Sequence, residues 1–346
     1  MTWETNGVSP SGDSPAQPTP YPSAEQPPLG YPPLAPPPAQ VEVPTPYHRL
    51  FRTAPGYAWW RPLVAAVLFG VFAVVGLIVV SIVWIVLAFV TGEVTTDDVL
   101  SPGFQDQLLE SATDVANPLS LFLLLGSLAI LLPLVPLAML CVGLRPVGLR
   151  HSVTFRLRWG WMLRCAVPAL VITVVSTVLP IVVGLAAGET FEPVAVDPGT
   201  FALLAVMIVL LTPFQAAAEE YIFRGLIMQT IGAWVRWVPL AIIVSTVLFT
   251  IGHTQYELWG ALSVAVMGVG FAIVTWRTGG LEAAIVLHVI NNVIALLLLA
   301  SGVLGTTHMS SEGSGPLAPL TQAVFTAGYV FWVGRLASSK GLQRAR

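Results

Sequence analysis

TFALLAVMIVLLTPFQAAAEEYIFRG, residues 200–225, decides how this chain folds. From Thr200 to Ala218 there is no charge, a length that suits a crossing of ~30 Å of hydrocarbon. Then Glu219, Glu220 and Arg224 follow within six residues, and from Val238 the apolar run VPLAIIVSTVLFTIG resumes. An ionisable group at membrane depth costs roughly 2.5–3.5 kcal/mol on insertion scales, so such groups turn toward a bundle interior. The stretch reads as a membrane helix that carries polar groups inward.

The totals agree. The chain has 346 residues, of which 55% are hydrophobic and 10% charged, and its mean hydropathy is +0.80. A soluble domain carries about 25% charged residues. The fold class expected is all-α, a polytopic membrane bundle of about eight transmembrane helices in contact with the lipid bilayer. A formal net charge of -3 gives no basis for a nucleic-acid partner. No signal-peptide pattern precedes the first apolar run, which follows a polar tail. Cys141 and Cys165 lie in apolar runs with no nearby cysteine or histidine in sequence, and read as small packing residues.

Residues 1–46 hold 14 of the 29 prolines, with Ser, Gln and Thr between them. Such a segment buries too little apolar area to offset its ordering entropy, and reads as a disordered cytoplasmic tail. Its PPLAPPPAQ run favours polyproline II and could serve an SH3-like partner. Apolar spans follow near 62–90, 118–143, 161–187, 200–218, 238–254, 258–276, 281–303 and 317–336. The organisation expected is spans one to three within 47–199, a core of spans four to seven within 200–303, and a last span with a basic tail within 304–346.

Orientation follows from the Arg and Lys bias of the connecting loops. Arg49, Arg52 and Arg61 precede span one, and Arg145, Arg150, Arg156 and Arg158 follow span two. Arg236, Arg277, Arg335, Lys340, Arg344 and Arg346 fall on the same side. Loop 91–117 instead carries Glu93, Asp97, Asp98, Asp106, Glu110 and Asp114, with no Arg or Lys. Eight spans in a cell membrane with both termini cytoplasmic put every basic cluster inside.

Three polar clusters lie within apolar runs: Glu219, Glu220 and Arg224; Phe249 and His253 in FTIGH; His288 and Asn292 in HVINN. Glu220 and Arg224 are spaced i,i+4 with the acid first, the favoured order for a helical ion pair. Arg224 can then neutralise Glu220 and leave Glu219, about 100° around the helix, to aim elsewhere. Counting ~1.5 Å per residue from the basic end puts His253 about 22 Å deep, Asn292 about 20 Å and His288 about 13 Å. Glu219 reaches about 25 Å if its helix runs unbroken to Arg236. Glu257 and Glu282 fall at span ends, where interfacial solvation is the expectation. Alone, each group has a plain interfacial or packing reading; together they suggest hydrolysis.

Glu219 with His253 could take a proton from water and return it to a leaving group. His288 and Asn292 could donate to a developing oxyanion. A metal assembly stays open at this point, because Glu219, His253 and His288 match a zinc ligand set. HExxH spacing and a GxSxG elbow are both absent from the sequence. A second class of reading is an ion- or proton-coupled transporter that uses the same buried Glu, Arg and His residues. A third is a silent scaffold acting through the Pro-rich tail.

EEYIFRGL resembles the EExxxR motif of the CPBP family, the intramembrane CAAX prenyl proteases and bacteriocin-processing (Abi) enzymes. FTIGH is similar to its FxxxH motif and HVINN to its HxxxN motif, in the family's order. The resemblance covers roughly residues 200–300. It implies an intramembrane endopeptidase of about eight helices, opening toward the cytoplasmic side and cleaving a membrane-anchored protein or peptide. It implies Glu219 as the water activator, assisted by His253, with His288 and Asn292 at the oxyanion. Glu220 and Arg224 would be supporting residues. The family has been described both as metalloproteases and as glutamate proteases without a metal, and the Asn of the third motif favours the latter.

Overall fold

A computed structural model describes residues 44–311 and 314–346. Most of the Pro-rich tail, with the SH3-like ligand expected on it, lies outside the described residues. Among the described residues the regular structure is all helical. Its helices are α1 (Arg61–Thr91), α2 (Thr96–Leu100), α3 (Phe104–Thr113), α4 (Pro118–Ala129), α5 (Leu134–Cys141), α6 (Trp159–Ala186), α7 (Pro198–Glu220), α8 (Met228–Trp234), α9 (Val238–Ile251), α10 (Leu258–Thr278), α11 (Glu282–Ala300) and α12 (Leu317–Ser339). Counting α4 with α5 and α7 with α8 as single stretches, seven helices among the described residues are long and apolar enough to cross a membrane, and α9 is a shorter apolar eighth.

The bundle is apolar outside and partly polar inside. On α1, valines 67, 71, 74 and 75 and Ile78 are exposed, while only four of its residues are buried. Such a surface suits lipid and makes this an integral membrane protein of several spans. The second span is broken at Pro133, which cannot supply an N–H to the turn before it. Pro118 and Pro198 instead open α4 and α7, where that donor is not needed. Asn117 and Asp197 cap those helices, Asn117 accepting from Leu119 and Ser120 and Asp197 from Thr200.

The stretch 198–234 is one continuous helical path. It passes Pro213 and widens to a π-helical turn over Tyr221–Ile227, directly after the two glutamates, before α8 resumes. A π turn moves every later side chain around the axis relative to an unbroken α-helix. α7 packs on α4 and α11, α11 also on α6, and α10 on α9 and α12. The glutamate helix and the His288 helix are therefore direct neighbours.

The basic end is closed by a dense layer. The 3₁₀ turn Tyr47–Thr53 packs on α8, and Tyr47, Leu50, Phe51, Leu144 and Leu149 are fully buried there. Tyr47 donates to the Arg150 carbonyl at 2.6 Å. Gly232 permits this packing: a Cβ there would sit 1.9 Å from the His48 carbonyl oxygen. Thr45 and Arg346 exchange backbone hydrogen bonds, tying the two ends of the described chain together.

Glu282 corrects the expectation of interfacial solvation. It is fully buried, and its two carboxylate oxygens each accept from Arg158 at 2.7 Å. Arg158 also donates to the Thr278 and Gln343 carbonyls, so one guanidinium joins α6, α10, α11 and the C-terminal segment. An ion pair this deep needs every lone pair answered, because desolvation otherwise exceeds the Coulomb gain.

Candidate active site

α7 presents Gln215 and Glu219 on one face, four residues apart, with Glu220 next to them. Glu219 is 5% exposed, and Glu220 and Arg224 are fully buried. Arg224, on the π turn, donates from Nη1 to Glu220 Oε1 at 3.1 Å and from Nη2 to the Gly268 carbonyl at 2.8 Å. Its guanidinium carbon lies 4.5 Å from the Phe249 ring centre and 5.2 Å from that of Phe271. Aromatic faces carry negative potential, so they hold a buried cation well. Gly268 leaves room for this reach, since a Cβ would come within 3.3 Å of Arg224 Nη2 and 3.1 Å of Phe249.

The two histidines point at the same carboxylate oxygen. His288 Nε2 is 3.7 Å and His253 Nε2 is 4.0 Å from Glu219 Oε2. Each ring is held from its other side. His253 Nδ1 lies 2.8 Å from the Phe249 carbonyl oxygen, which can only accept, so this nitrogen carries a proton. His288 Nδ1 lies 2.9 Å from Glu220 Oε1, again an acceptor. Phe249, fully buried, packs edge-on to Phe223, Phe271 and His288, and lies 4.6 Å from the His253 ring. The aromatic of the second motif thus fixes both imidazoles, one through its carbonyl and one through its ring.

Gln215 is the site residue that the sequence reading did not single out. Its Nε2 donates to Glu219 Oε1 at 2.5 Å, and its Oε1 accepts from Asn292 Nδ2 at 3.1 Å. Asn292 Oδ1 in turn accepts from Asn291 Nδ2 at 3.2 Å. A carboxylate accepts only, so every amide in the series must point its NH2 toward Glu219. That fixes Asn292 as a donor and leaves one of its Nδ2 hydrogens for something else. The visible signal was an amide i,i+4 from a buried glutamate.

These groups line a cavity of about 550 Å³ between α1, α4, α7, α9, α10 and α11, otherwise walled by side chains such as Phe69, Leu128, Val264 and Met267. Tyr256 also faces it, with its ring stacked on His253. Burial pushes its phenol above the usual value, so it keeps its proton. Glu219 Oε2 is buried with no hydrogen-bond partner among the described residues, as is Glu220 Oε2. The structure brings Glu219, Glu220, Arg224, Phe249, His253, His288 and Asn292 together; none of the seven lies elsewhere. His288 lies against both glutamates, Nδ1 2.9 Å from Glu220 Oε1 and Nε2 3.7 Å from Glu219 Oε2. The donor types of Glu219, His253 and His288 suit zinc. Among the described residues, however, no group of three His, Cys, Asp or Glu is placed to hold a metal ion.

Comparison with protein families matches residues 200–294 to the model for Type II CAAX prenyl endopeptidase Rce1-like. Comparison with curated proteins and with solved structures gives no match. The matched segment contains every residue of the pocket's polar floor, from Gln215 to Asn292. The match, confined to residues 200–294, supports the CPBP family of CAAX-type intramembrane proteases and indicates a peptidase.

Proposed function

We propose that this peptidase hydrolyses a peptide bond of a membrane-anchored protein or peptide with a water activated by Glu219 and His253. The observation that carries the reading is Glu219 Oε2, a buried carboxylate oxygen without a partner that faces two imidazole nitrogens. Gaps of 3.7 and 4.0 Å are too long for direct hydrogen bonds and suit a water between the groups. With its Nδ1 proton spent on Phe249, neutral His253 offers a bare Nε2 lone pair. One water can donate one hydrogen to that nitrogen and the other to Glu219, which leaves its own lone pair free to attack.

The chemistry then balances without further reactants. Glu219 takes a proton as the water oxygen bonds to the peptide carbonyl carbon. The negative oxygen of the tetrahedral intermediate is held by the free Nδ2 hydrogen of Asn292, with His288 beside it. Glu219 returns its proton to the amide nitrogen as the C–N bond breaks. The products are an acid and an amine.

Glu220 and Arg224 orient this apparatus without touching the water. Reconstituted protein tests the scheme, using a membrane-anchored reporter peptide with and without a strong chelator. Glu219→Gln and His253→Ala should each abolish cleavage while membrane insertion persists, and the chelator should leave the wild-type rate unchanged. Full turnover by Glu219→Gln would refute the scheme, and a rate abolished by chelation and restored by zinc would replace it with a metal mechanism.

A further inference from the structure

We propose that the outward groove between α10 and α12 binds one anionic phospholipid, with an acyl chain in the groove and the phosphate on Arg277 and Arg335. The site is on the lipid-facing surface and stands apart from the peptidase reading.

Helical period lays out the groove. Val266, Val269, Gly270, Ile273 and Arg277 line it from α10, spaced as one face of a helix. Ala323, Ala327, Val330 and Phe331 line it from α12 at the same period. Gly270 faces Thr326 and Gly334 faces Arg277, so the two helices run parallel. They pack tightly at Gly270, where an added Cβ would lie 2.1 Å from Thr326 Cγ2. The inner face of α12 is spent on Tyr329 and Val333, both fully buried in the core. The groove lies on the other side, holds about 440 Å³, and is flanked by exposed Val269 and Phe331.

Its length matches one leaflet. From Val266 to Arg277 it extends ~16 Å at ~1.5 Å per residue, about half of a ~30 Å hydrocarbon core. The lining is apolar except for Thr326, whose hydroxyl accepts from Gln322 at 3.0 Å, and Arg277 at one end. A long apolar slot closed by a cation suits a tail with a charged head.

The cation site is built from both helices. Arg277 is in the last turn of α10. Its side chain crosses to α12, with its guanidinium carbon 3.9 Å from where a Cβ on Gly334 would sit. Arg335 places its guanidinium carbon 5.1 Å from the ring centre of Phe331, at the same end of the groove. Neither arginine forms an ion pair among the described residues. Glu282, the acid nearest Arg277 in sequence, gives both carboxylate oxygens to Arg158. Guanidinium forks without a carboxylate suit the oxygens of a phosphate. Trp276 precedes Arg277 and Trp332 lies a turn before Arg335, both exposed. Aromatic and basic side chains together mark the headgroup level. A second copy of this chain has no acid to offer there, because Glu282 is the one carboxylate at the basic end among the described residues and it is buried. A zwitterionic headgroup would set its own cation against the two arginines, whereas a net-negative one would not.

Lipid titration of the full chain in a zwitterionic detergent tests this, with bound lipid counted by native mass spectrometry. Phosphatidylglycerol and phosphatidylcholine of identical chains are compared. The wild type should bind one phosphatidylglycerol about tenfold more tightly, as charge-assisted bonds to phosphate predict. Arg277→Gln with Arg335→Gln should remove the preference, and Ala327→Phe, which fills the groove, should weaken binding of both lipids. Arg145→Gln with Arg156→Gln takes the same charge from exposed positions outside the groove and should leave the preference intact. Equal affinity for the two lipids in the wild type overturns the proposal. So does a preference lost equally in the control pair, or unchanged binding by Ala327→Phe. Glycerol phosphate should not compete at millimolar concentration; competition would reveal a site for free anions and overturn the lipid assignment. Melting midpoints in lipid-free detergent show which variants fold, and if the arginine pair does not, the headgroup comparison and Ala327→Phe decide the matter.

Discussion

Gln215 holds Glu219 by one oxygen and Asn292 by its amide, so it positions two reacting groups at once. Gln215→Leu should lower kcat about 10- to 100-fold, in line with a lost buried hydrogen bond of ~1–3 kcal/mol, and leave KM nearly unchanged. Gln215→Glu, which sets a second carboxylate against Glu219, should be worse at neutral pH and recover in part on acidification; kinetics across pH check both. Gly268→Ala should cost ~1–3 kcal/mol of stability, because the added methyl presses on Phe249, Thr246 and Arg224, and thermal unfolding in detergent reads it. At this scale much was legible. Charged and amide groups in apolar runs announce themselves, and the i,i+4 spacing of Glu220 with Arg224 stated its own partner. Gln215 went unread because an uncharged amide does not stand out at membrane depth. The second contact of His288, to Glu220, joins residues 68 apart and has no local signature.

Helices were easier to read than their irregularities. The eight apolar stretches were visible from length and hydropathy, whereas the π turn at Tyr221–Ile227 was not, since tertiary packing rather than propensity decides it. The break at Pro133 did have a signal in its proline, as did the end of α10 in Gly279, whose φ of 71° favours glycine. Burial of Glu282 was invisible because its partner Arg158 is 124 residues away. That pair links α6 to α11, the helix of His288 and Asn292. Breaking it with Glu282→Gln should destabilise the fold by ~3–5 kcal/mol, while the double change Arg158→Met with Glu282→Leu should lose far less. A double-mutant cycle on unfolding free energy separates the two outcomes.

Across the whole molecule, charge is divided between two ends. At the basic end, burial and the neighbouring Arg150 charge push His151 down to about 4 from its ordinary 6.5. The fold therefore favours the neutral ring, and the unfolded chain binds more protons between those values. Stability from this group is complete above pH 6.5 and declines as pH falls toward 4, by ~1–2 kcal/mol once solvent screening is allowed for. Melting midpoints between pH 4 and 7 should show the fall, and His151→Gln should flatten it. At the opposite end, segments 91–117, 187–197, 252–257 and 301–316 carry eleven Asp and Glu and no Lys or Arg, a negative field that salt screens.

One consequence lies in the bilayer itself. α9 has 14 residues, only ~21 Å of helix against ~30 Å of hydrocarbon. Lipids beside it must compress or let the headgroup layer sag toward His253, a distortion that costs fractions of a kcal/mol per ångström. Membrane thickness thereby becomes a control on hydration of the enzyme. Turnover should be brisk in vesicles of short acyl chains and slow progressively as the chains lengthen, even with the protein itself unchanged.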